Sequence, residues 1–578
     1  MVDFNAAKDE CDVVMKGGIT SGVVYPLTVV KLAERYRFKN IGGTSAGALA
    51  AAITAAAEYN RKGGGFQKIG EIPREVASKL QTFFQPAPSM KPVFDLLLAA
   101  QDKQVGPWGL AGRAAWILLS GYWGATLVGL VPGALLAALL WSRLGPAEVC
   151  LVFIACLVGL LASVGYRLYR VATIDLPAND FGLCSGETMP GSKNPGLTDW
   201  LADTIDDVAG IGTAGDPLIF RQLWGEGGAE PDIRLDMMTT NLSMQRAHRL
   251  PLRQNIYAFR RSEFERLFPN RVVAYMVRVG AETEDPDLFW LPEGNLLPVV
   301  VAARMSLSFP GLISAVPLYA RDLTLKAPKD KAMLRRCLFS DGGLTSNFPI
   351  HFFDRFLPSA PTFGISLESW REAQHDKKAY FPEDPPFDPA VAPEDEEVPM
   401  PVRDIPSFGS FLMALIDSAK GWQDNLQSTL PGYRERIVHI ALDDSREGGL
   451  NLTMDKHTID TLVERGGEAA TEILTGFNFD EHRWRRFLVA ARRLEESLDQ
   501  MAEVYQPQQG VPFRRFVETY RDKADIRYQP DEAWLREALD RFDLLMAAAR
   551  KWKSPALFTE PGVKIPRPDS DLRITARY

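Results

Sequence analysis

Two long stretches without a charge limit what this chain can fold into more than any other feature. Residues 114–142, between Arg113 and Arg143, carry no Asp, Glu, Lys or Arg, and neither do residues 149–166, between Glu148 and Arg167. A helix of roughly 20 apolar residues spans a bilayer core of about 30 Å. The first stretch is long enough with room to spare, and Pro132-Gly133 offers it a kink; the second is near the lower limit. Trp123 and Trp141 bracket a membrane segment, with Tyr166 and Tyr169 at the far end of the second, as aromatic belts do. The link Ser142–Glu148 is short, so the two helices are expected to run antiparallel, with both outer ends on one side. Lys103, Arg113, Arg167 and Arg170 gather at those ends, against Arg143 and Glu148 in the link. The positive-inside bias then places the ends, and the polypeptide on either side, in the cytoplasm. Residues 113–170 therefore read as a transmembrane helical hairpin that meets the lipid bilayer through 114–142 and 149–166. The competing reading is a helical hairpin buried in a soluble core or a dimer interface.

Taken over all 578 residues, the composition is that of a globular protein able to bury a core: 46% hydrophobic and 24% charged. A net charge of −8 with no strongly basic run argues against nucleic-acid binding. The five cysteines (Cys11, Cys150, Cys156, Cys184, Cys337) are scattered, with no CxxC pair and no Cys/His cluster, so neither a disulfide framework nor a metal site is expected, and no cofactor is implied. Met1–Glu10 is polar and lacks the apolar segment of a secretory signal.

Periodicity predicts alternating strands and helices at the N-terminus. Residues 11–17 form a strand, 23–36 a helix, 38–41 a strand and the alanine-rich 46–59 a helix, which signals an α/β sheet with helical crossovers. Further strands are expected at 233–238, 272–279, 336–339, 362–367 and 436–442. The proline- and acid-rich segment Tyr380–Asp404 reads as a loop, and residues from about 456 onward as helices.

Three motifs carry chemistry. Gly43-Thr44-Ser45-Ala46-Gly47 lies between a predicted strand and a predicted helix, the setting of a nucleophile elbow. There Ser45 would sit on a sharp turn, with Gly43 and Gly47 letting the backbones pass closely and the helix N-terminus favouring negative charge. Upstream, Lys16-Gly17-Gly18-Ile19-Thr20-Ser21-Gly22 also follows a strand; its glycines free backbone N–H groups to face an oxyanion, or it is an ordinary turn or a phosphate loop. Downstream, Phe339-Ser340-Asp341-Gly342-Gly343 leaves an apolar strand and precedes Asn347-Phe348-Pro349. Taken alone it is a turn former.

In this order the three elements resemble the patatin-like phospholipase family, and Ala302–Gly311 is similar to that family's alanine-rich, proline-terminated segment before the aspartate strand. The resemblance implies a three-layer α/β/α fold and a Ser–Asp dyad. Ser45 would be the nucleophile, Asp341 the proton acceptor, and the amides of Gly17 and Gly18 the oxyanion hole, with Gly22, Gly43, Gly47, Gly342 and Gly343 as motif glycines. Two positions depart from the pattern: Ile19 stands where a third glycine is usual, and Ser21 where a basic residue is. The catalytic domain would comprise 1–112 and 171–479, with the hairpin between them and a helical extension over 480–578. A histidine-based triad is the internal rival, with His351 nearest to Asp341 in sequence; His248, His375, His439, His457 and His482 have no motif around them. The expected function is a membrane-associated hydrolase of lipid acyl esters that works through an acyl-enzyme. An acyltransferase or esterase for neutral lipids or thioesters, and a catalytically silent membrane scaffold, are the alternatives.

Overall fold

The computed structural model describes residues 3–18, 21–101, 106–143, 145–225, 231–253, 255–322, 334–369, 378–380, 432–443, 451–506, 510–521 and 531–552, with Glu447 and scattered positions between 405 and 430. Within them lie thirteen strands: β1 (Asp9–Met15), β2 (Tyr36–Gly43), β3 (Gly182–Cys184), β4 (Arg234–Asn241), β5 (Arg246–Leu250), β6 (Tyr257–Arg260), β7 (Leu288–Trp290), β8 (Gly311–Ile313), β9 (Val316–Arg321), β10 (Leu334–Asp341), β11 (Thr362–Ser369), β12 (Ala379–Tyr380) and β13 (Ile437–Leu442). The helices that matter for the argument are α1 (Tyr25–Ala33), α2 (Ala46–Tyr59), α3 (Ile72–Lys79), α4 (Lys91–Gln101), α5 (Pro107–Gly121), α6 (Trp123–Leu139), α7 (Pro146–Arg170), α8 (Leu197–Val208), α9 (Asn270–Val279), α10 (Val299–Ser306), α11 (Lys456–Gly476), α12 (Phe479–Tyr505), α13 (Phe513–Arg521) and α14 (Glu532–Trp552).

The protein is a mixed α/β structure around one large sheet in the order β12-β13-β11-β1-β2-β4-β10-β9-β6-β7, with β5 paired to β4; β3 and β8 form a separate pair. Strands β13, β11, β1, β2 and β4 are mutually parallel, whereas β10 joins β4 antiparallel and opens an antiparallel wing. Period-2 alternation assigns the two faces. Cys11, Val13, Met15, Phe38, Leu235, Met237, Phe363, Ile365, Val438 and Ile440 point into the main core, which α1, α2, α8, α10 and α11 cover. Val14, Met238 and Ile437 point the other way, into a small cluster closed by Phe348, Ile350, Phe352 and Phe353. Among the described residues the second face is thus covered thinly, by the one-turn helix Ile350–Phe353, while the first carries a full helical layer.

Helix α2 occupies the centre of the covered face because it is built from alanine: Ala48, Ala51, Ala52, Ala55, Ala56 and Ala57 are fully buried. Small side chains let its axis approach β2, β1 and β4 together. Residues 270–279 correct an expectation. The run Val-Val-Ala-Tyr-Met-Val predicts a strand but forms α9, because Val272, Val273 and Met276 share one buried face while Arg271 reaches Asp203 and Asp206. Strands β5, β6, β7 and β9 were not legible in the sequence, since they are short and their pattern is set by antiparallel neighbours.

The insertion also differs from expectation. Among the described residues one helix, Pro146–Ala178, is long and apolar enough to cross a membrane. The first uncharged stretch is not one helix kinked at Pro132. It breaks by 95° between α5 and α6, and Pro132 lies inside α6. The break falls at Tyr122, which is buried and non-helical (φ −107°, ψ 45°), and Thr126 Oγ1 donates to the carbonyl of Leu119 across it at 2.8 Å. Helices α6 and α7 pack along each other through glycine: a Cβ on Gly159 would lie 2.1 Å from the carbonyl oxygen of Gly129. At the other end, the boundary expected at 480 falls inside a connected unit. His482 Nδ1 lies 3.2 Å from Glu435 Oε1, and Arg486 donates to Asp354 at 3.1 Å, so the first turns of α12 belong to the body. Only beyond them does α12 form a small core of its own with α14, around Leu498, Ala502, Tyr505, Met546 and Ala549. The acidic segment 381–404 lies outside the described residues; Tyr380 closes β12.

Candidate active site

Strand topology brings the distant motifs together. Gly43, the last residue of β2, pairs with Met237 of β4, and Asp341, the last of β10, pairs with Thr239 of the same strand. The ends of β2 and β10 are thereby held one strand apart, although they are separated by 296 positions between Ser45 and Asp341. Ser45 Oγ donates to Asp341 Oδ2 at 2.6 Å, and both residues are buried, Ser45 at 4% exposure.

The turn that carries Ser45 is strained. Its backbone has φ 57° and ψ −128°, a conformation that non-glycine residues rarely adopt. Two glycines make it sterically possible. A Cβ on Gly43 would come 2.1 Å from the carbonyl oxygen of Gly47, and one on Gly47 would come 2.2 Å from that of Met15. Ser45 makes no side-chain cap to α2, so its hydroxyl is available to Asp341, while its amide donates to Ser306 Oγ at 3.1 Å. The N-terminal end of α2 lies beneath it, and the helix dipole favours negative charge there.

Asp341 is oriented from every side. Its Oδ1 accepts from the amide of Gly343 at 2.7 Å, its own amide donates to the carbonyl of Ser308 at 2.9 Å, and its carbonyl accepts from Thr240 Oγ1 at 2.9 Å. Gly342 is required by contact: a Cβ there would lie 2.2 Å from the carbonyl oxygen of Met238. Five of the six histidines are described, and each sits elsewhere. His248 lies against Tyr257 on β5, where burial lowers its pKa to about 4. His439 and His482 pair with Glu368 and Glu435, His351 is on the far face of the sheet beside Phe352, and His457 is exposed. His375 lies outside the described residues.

The glycine loop corrects one expectation. The amide of Gly17 does not face the serine unoccupied; it donates to the backbone carbonyl of Asn347 at 3.0 Å. Only glycine fits at position 17, since a Cβ there would lie 2.3 Å from Asn347 Oδ1 and 2.9 Å from Ser45 Cβ. Of the two amides expected to hold an oxyanion, Gly18 is the one with no acceptor among the described residues; Ile19 and Thr20 lie outside them. Gly22 sits in the turn before α1, over the start of α2, where a Cβ would be 3.3 Å from Ala46 Cβ. Tyr25, whose phenol burial holds well above its ordinary pKa, stays a neutral donor and bonds the carbonyl of Lys16, fixing the entry to the loop.

Three supporting residues carry no motif of their own. Asp424, almost fully buried, accepts from Ser346 Oγ at 3.0 Å, from the amide of Asn347 at 2.6 Å and from that of Phe348 at 2.9 Å. It therefore pins the segment whose next contact is Gly17. Arg304 is entirely buried, with no carboxylate partner among the described residues. Its guanidinium donates to Thr198, Ser308 and the carbonyls of Ser185 and Ser314, and burial lowers its pKa to about 9. Ser306 follows it on α10 and holds the amide of Ser45. Sequence reasoning had no handle on Asp424, because only the fold brings it to Asn347.

Beside the elbow opens an apolar cleft of about 870 Å³, including its mouth. Gly22, Ala46 and Leu307 line its end next to Ser45, and Val29, Ala50, Ile53, Val76, Phe83 and Trp200 line its length. No group of three or more metal-ligating side chains occurs among the described residues.

No family model matches the chain. A curated relative, the RpoH suppressor of Rhizobium meliloti (strain 1021), is 34% identical over 654 aligned positions covering 98% of this chain and 99% of its own. Among solved structures, VipD from Legionella pneumophila aligns over 95% of this chain and 86% of its own, at 11% identity and a TM-score of 0.28, a likeness that carries no argument.

Proposed function

This chain belongs to the same family as the RpoH suppressor of Rhizobium meliloti, and we propose that it is a membrane-associated serine hydrolase of lipid acyl esters, of the patatin-like phospholipase type. The observation that carries the reading is Ser45 on a strained strand-to-helix turn, 2.6 Å from a fully oriented Asp341 and at the end of an apolar cleft. A buried serine hydroxyl bonded to a buried carboxylate has few purely structural reasons to sit on a strained backbone.

In this reading the acyl chain enters the cleft, where each methylene removed from water contributes about 0.8 kcal/mol. Ser45 Oγ attacks the ester carbonyl while its proton passes to Asp341 Oδ2. The oxyanion that forms is met by the amide of Gly18 and by the field at the start of α2. Collapse breaks the ester C–O bond, and the leaving alkoxide takes the proton from Asp341. Water then attacks the acyl-enzyme with Asp341 as base, and free fatty acid leaves. Aspartate is a weak base, with a reference pKa near 3.9, so proton transfer is late and oxyanion stabilisation bears most of the barrier. Helices α6 and α7 anchor the enzyme in the bilayer that contains its substrate, with the catalytic sheet on the cytoplasmic side.

The test is release of fatty acid from phospholipid vesicles together with fluorophosphonate labelling. Wild-type protein should label at one serine and release acid. Labelling that persists undiminished in Ser45→Ala, or acid release unchanged in that variant, would overturn the assignment. Adding an alcohol acceptor separates hydrolysis from acyl transfer by product.

A further inference from the structure

The 95° break between α5 and α6 bears on how such an anchor meets the bilayer. Its pivot, Tyr122, is 6% exposed, donates through its hydroxyl to the carbonyl of Ser89 at 3.2 Å and has the Arg167 guanidinium 5.6 Å from its ring centroid. Arg167 in turn pairs with Asp175 at 3.4 Å. The neighbouring Gly121 is seated on Pro92, whose Cγ would be 2.6 Å from a Cβ there. The pivot is thus fixed to the protein body, and an Arg–Asp pair beside it belongs outside hydrocarbon. From this point α6 departs without a single charge, with α7 alongside.

Helix α5 takes the other direction. It packs on α4 through one face, with Leu118 against the core, and turns Trp108 (92% exposed) and Trp116 (73% exposed) outward with Arg113 between them. It contains no acidic residue. Exposed tryptophans with a basic residue, on a helix that already has a partner on its other face, are the composition of the water–lipid boundary. Arg170, exposed at the foot of α7, adds positive charge at the same end of the hairpin.

Resting on the membrane-anchor reading above, we propose that α5 is a membrane-surface helix. It lies in the plane of the headgroup–acyl boundary with Trp108 and Trp116 inserted, and only α6 and α7 cross. A helix at 95° to a crossing helix lies in the membrane plane. The crossing part then begins at Trp123 rather than at residue 114, which leaves 17 residues in α6, about 26 Å of helix, close to the hydrocarbon thickness. Helix α4, on which α5 rests, follows closely in sequence on Phe83 and Phe84 of the cleft wall.

The test measures depth. In the full-length chain with Cys150→Ala and Cys156→Ala, and the three buried cysteines left in place, single nitroxide labels are introduced through Ala111→Cys, Ala115→Cys, Leu127→Cys and Val131→Cys. The protein is reconstituted into phosphatidylcholine–phosphatidylglycerol vesicles, and depth is read from the relative accessibility to oxygen and to a water-soluble nickel complex. Positions 111 and 115 should report the same shallow depth at the headgroup level, with 131 about 6 Å deeper than 127. Depth that rises steadily from 111 through 115 to 127 makes α5 part of a span and overturns the proposal. So does free access of nickel at 111 and 115 while 127 and 131 are deep, or exclusion of both reagents there, which marks a protein contact. If 127 and 131 are themselves water-accessible, the membrane anchor fails and the surface helix fails with it. Fatty acid release by the same samples reports separately on the hydrolase reading.

Discussion

The dyad end of the sheet and the helical hairpin both depend on glycine for close approach, and they use it to opposite ends. At the dyad, Gly43, Gly47 and Gly342 bring backbones together so that two polar side chains meet in a buried place with their hydrogen bonds satisfied. In the hairpin, Gly129, Gly133 and Gly159 bring two apolar helices together whose outer faces, including Leu127, Val131, Leu135, Phe153 and Leu161, stay exposed. One region pairs a serine with a carboxylate; the other presents a surface that water does not favour. The contrast teaches that the two can be broken separately.

The largest effect is expected at the dyad. Ser45→Ala should remove acylation, with a loss of at least about 10³-fold in ester hydrolysis, and Asp341→Asn should cost roughly 10²–10⁴-fold in kcat with little change in KM. Kinetics on a soluble short-chain ester would show this, and an Asp341→Asn variant that keeps wild-type activity would remove Asp341 from the chemistry. Next comes Asp424→Asn, which should lower kcat and the fluorophosphonate labelling rate by about 10–10²-fold, because it loosens Asn347 and with it Gly17. The final extent of labelling should stay at the wild-type value; a fall in extent rather than in rate would mean that Asp424 serves stability alone.

A smaller effect is expected in the cleft. Ala50→Phe fills space beside α2 and should shift preference towards shorter acyl chains by about tenfold in kcat/KM, measured across a series of chain lengths. A uniform loss at every length would place the acyl chain elsewhere. The smallest effect on the chemistry is expected in the hairpin. Gly159→Leu collides with Gly129 and should splay α6 from α7, at about 1–3 kcal/mol of strain, and reduce acid release from vesicles while leaving soluble-ester hydrolysis within about twofold. Equal losses in both assays would join the two regions that this comparison separates.

Much of the site was legible because its signals are local. The elbow needs small residues within two positions of Ser45, and the turn after Asp341 needs Gly342, so both are written in short stretches of sequence. Helix α2 spans the same residues, 46–59, that alanine content predicts. The partners of these groups were not legible. Asp424 and Thr240 touch the pair or its supports from remote positions, and no spacing rule relates them to it; Ser306 lies in the readable segment Ala302–Gly311, but its bond to the Ser45 amide was not legible. Gly17 shows the same limit in reverse: a glycine-rich loop was readable, but whether its amide faces the serine or the carbonyl of Asn347 depends on a segment 330 residues away. Residues 270–279 went to helix for a similar reason, since buried Val272, Val273 and Met276 match the face offered by neighbouring elements rather than the strand preference of valine.

By itself the sequence determined the elements whose causes lie within a few residues: the α/β alternation at the N-terminus, the turn that carries Ser45, the absence of charge over 114–142 and 149–166, and the relationship to the RpoH suppressor family. Only the tertiary structure decided that β4 stands between β2 and β10, so that Ser45 meets Asp341, and that the first uncharged stretch turns through 95° at Tyr122. The physical reason is shared. Propensity and periodicity act along the chain over a turn or two, whereas strand order and the burial of Tyr122 against Ser89 and Arg167 are settled by contacts that exist only once the chain has closed on itself.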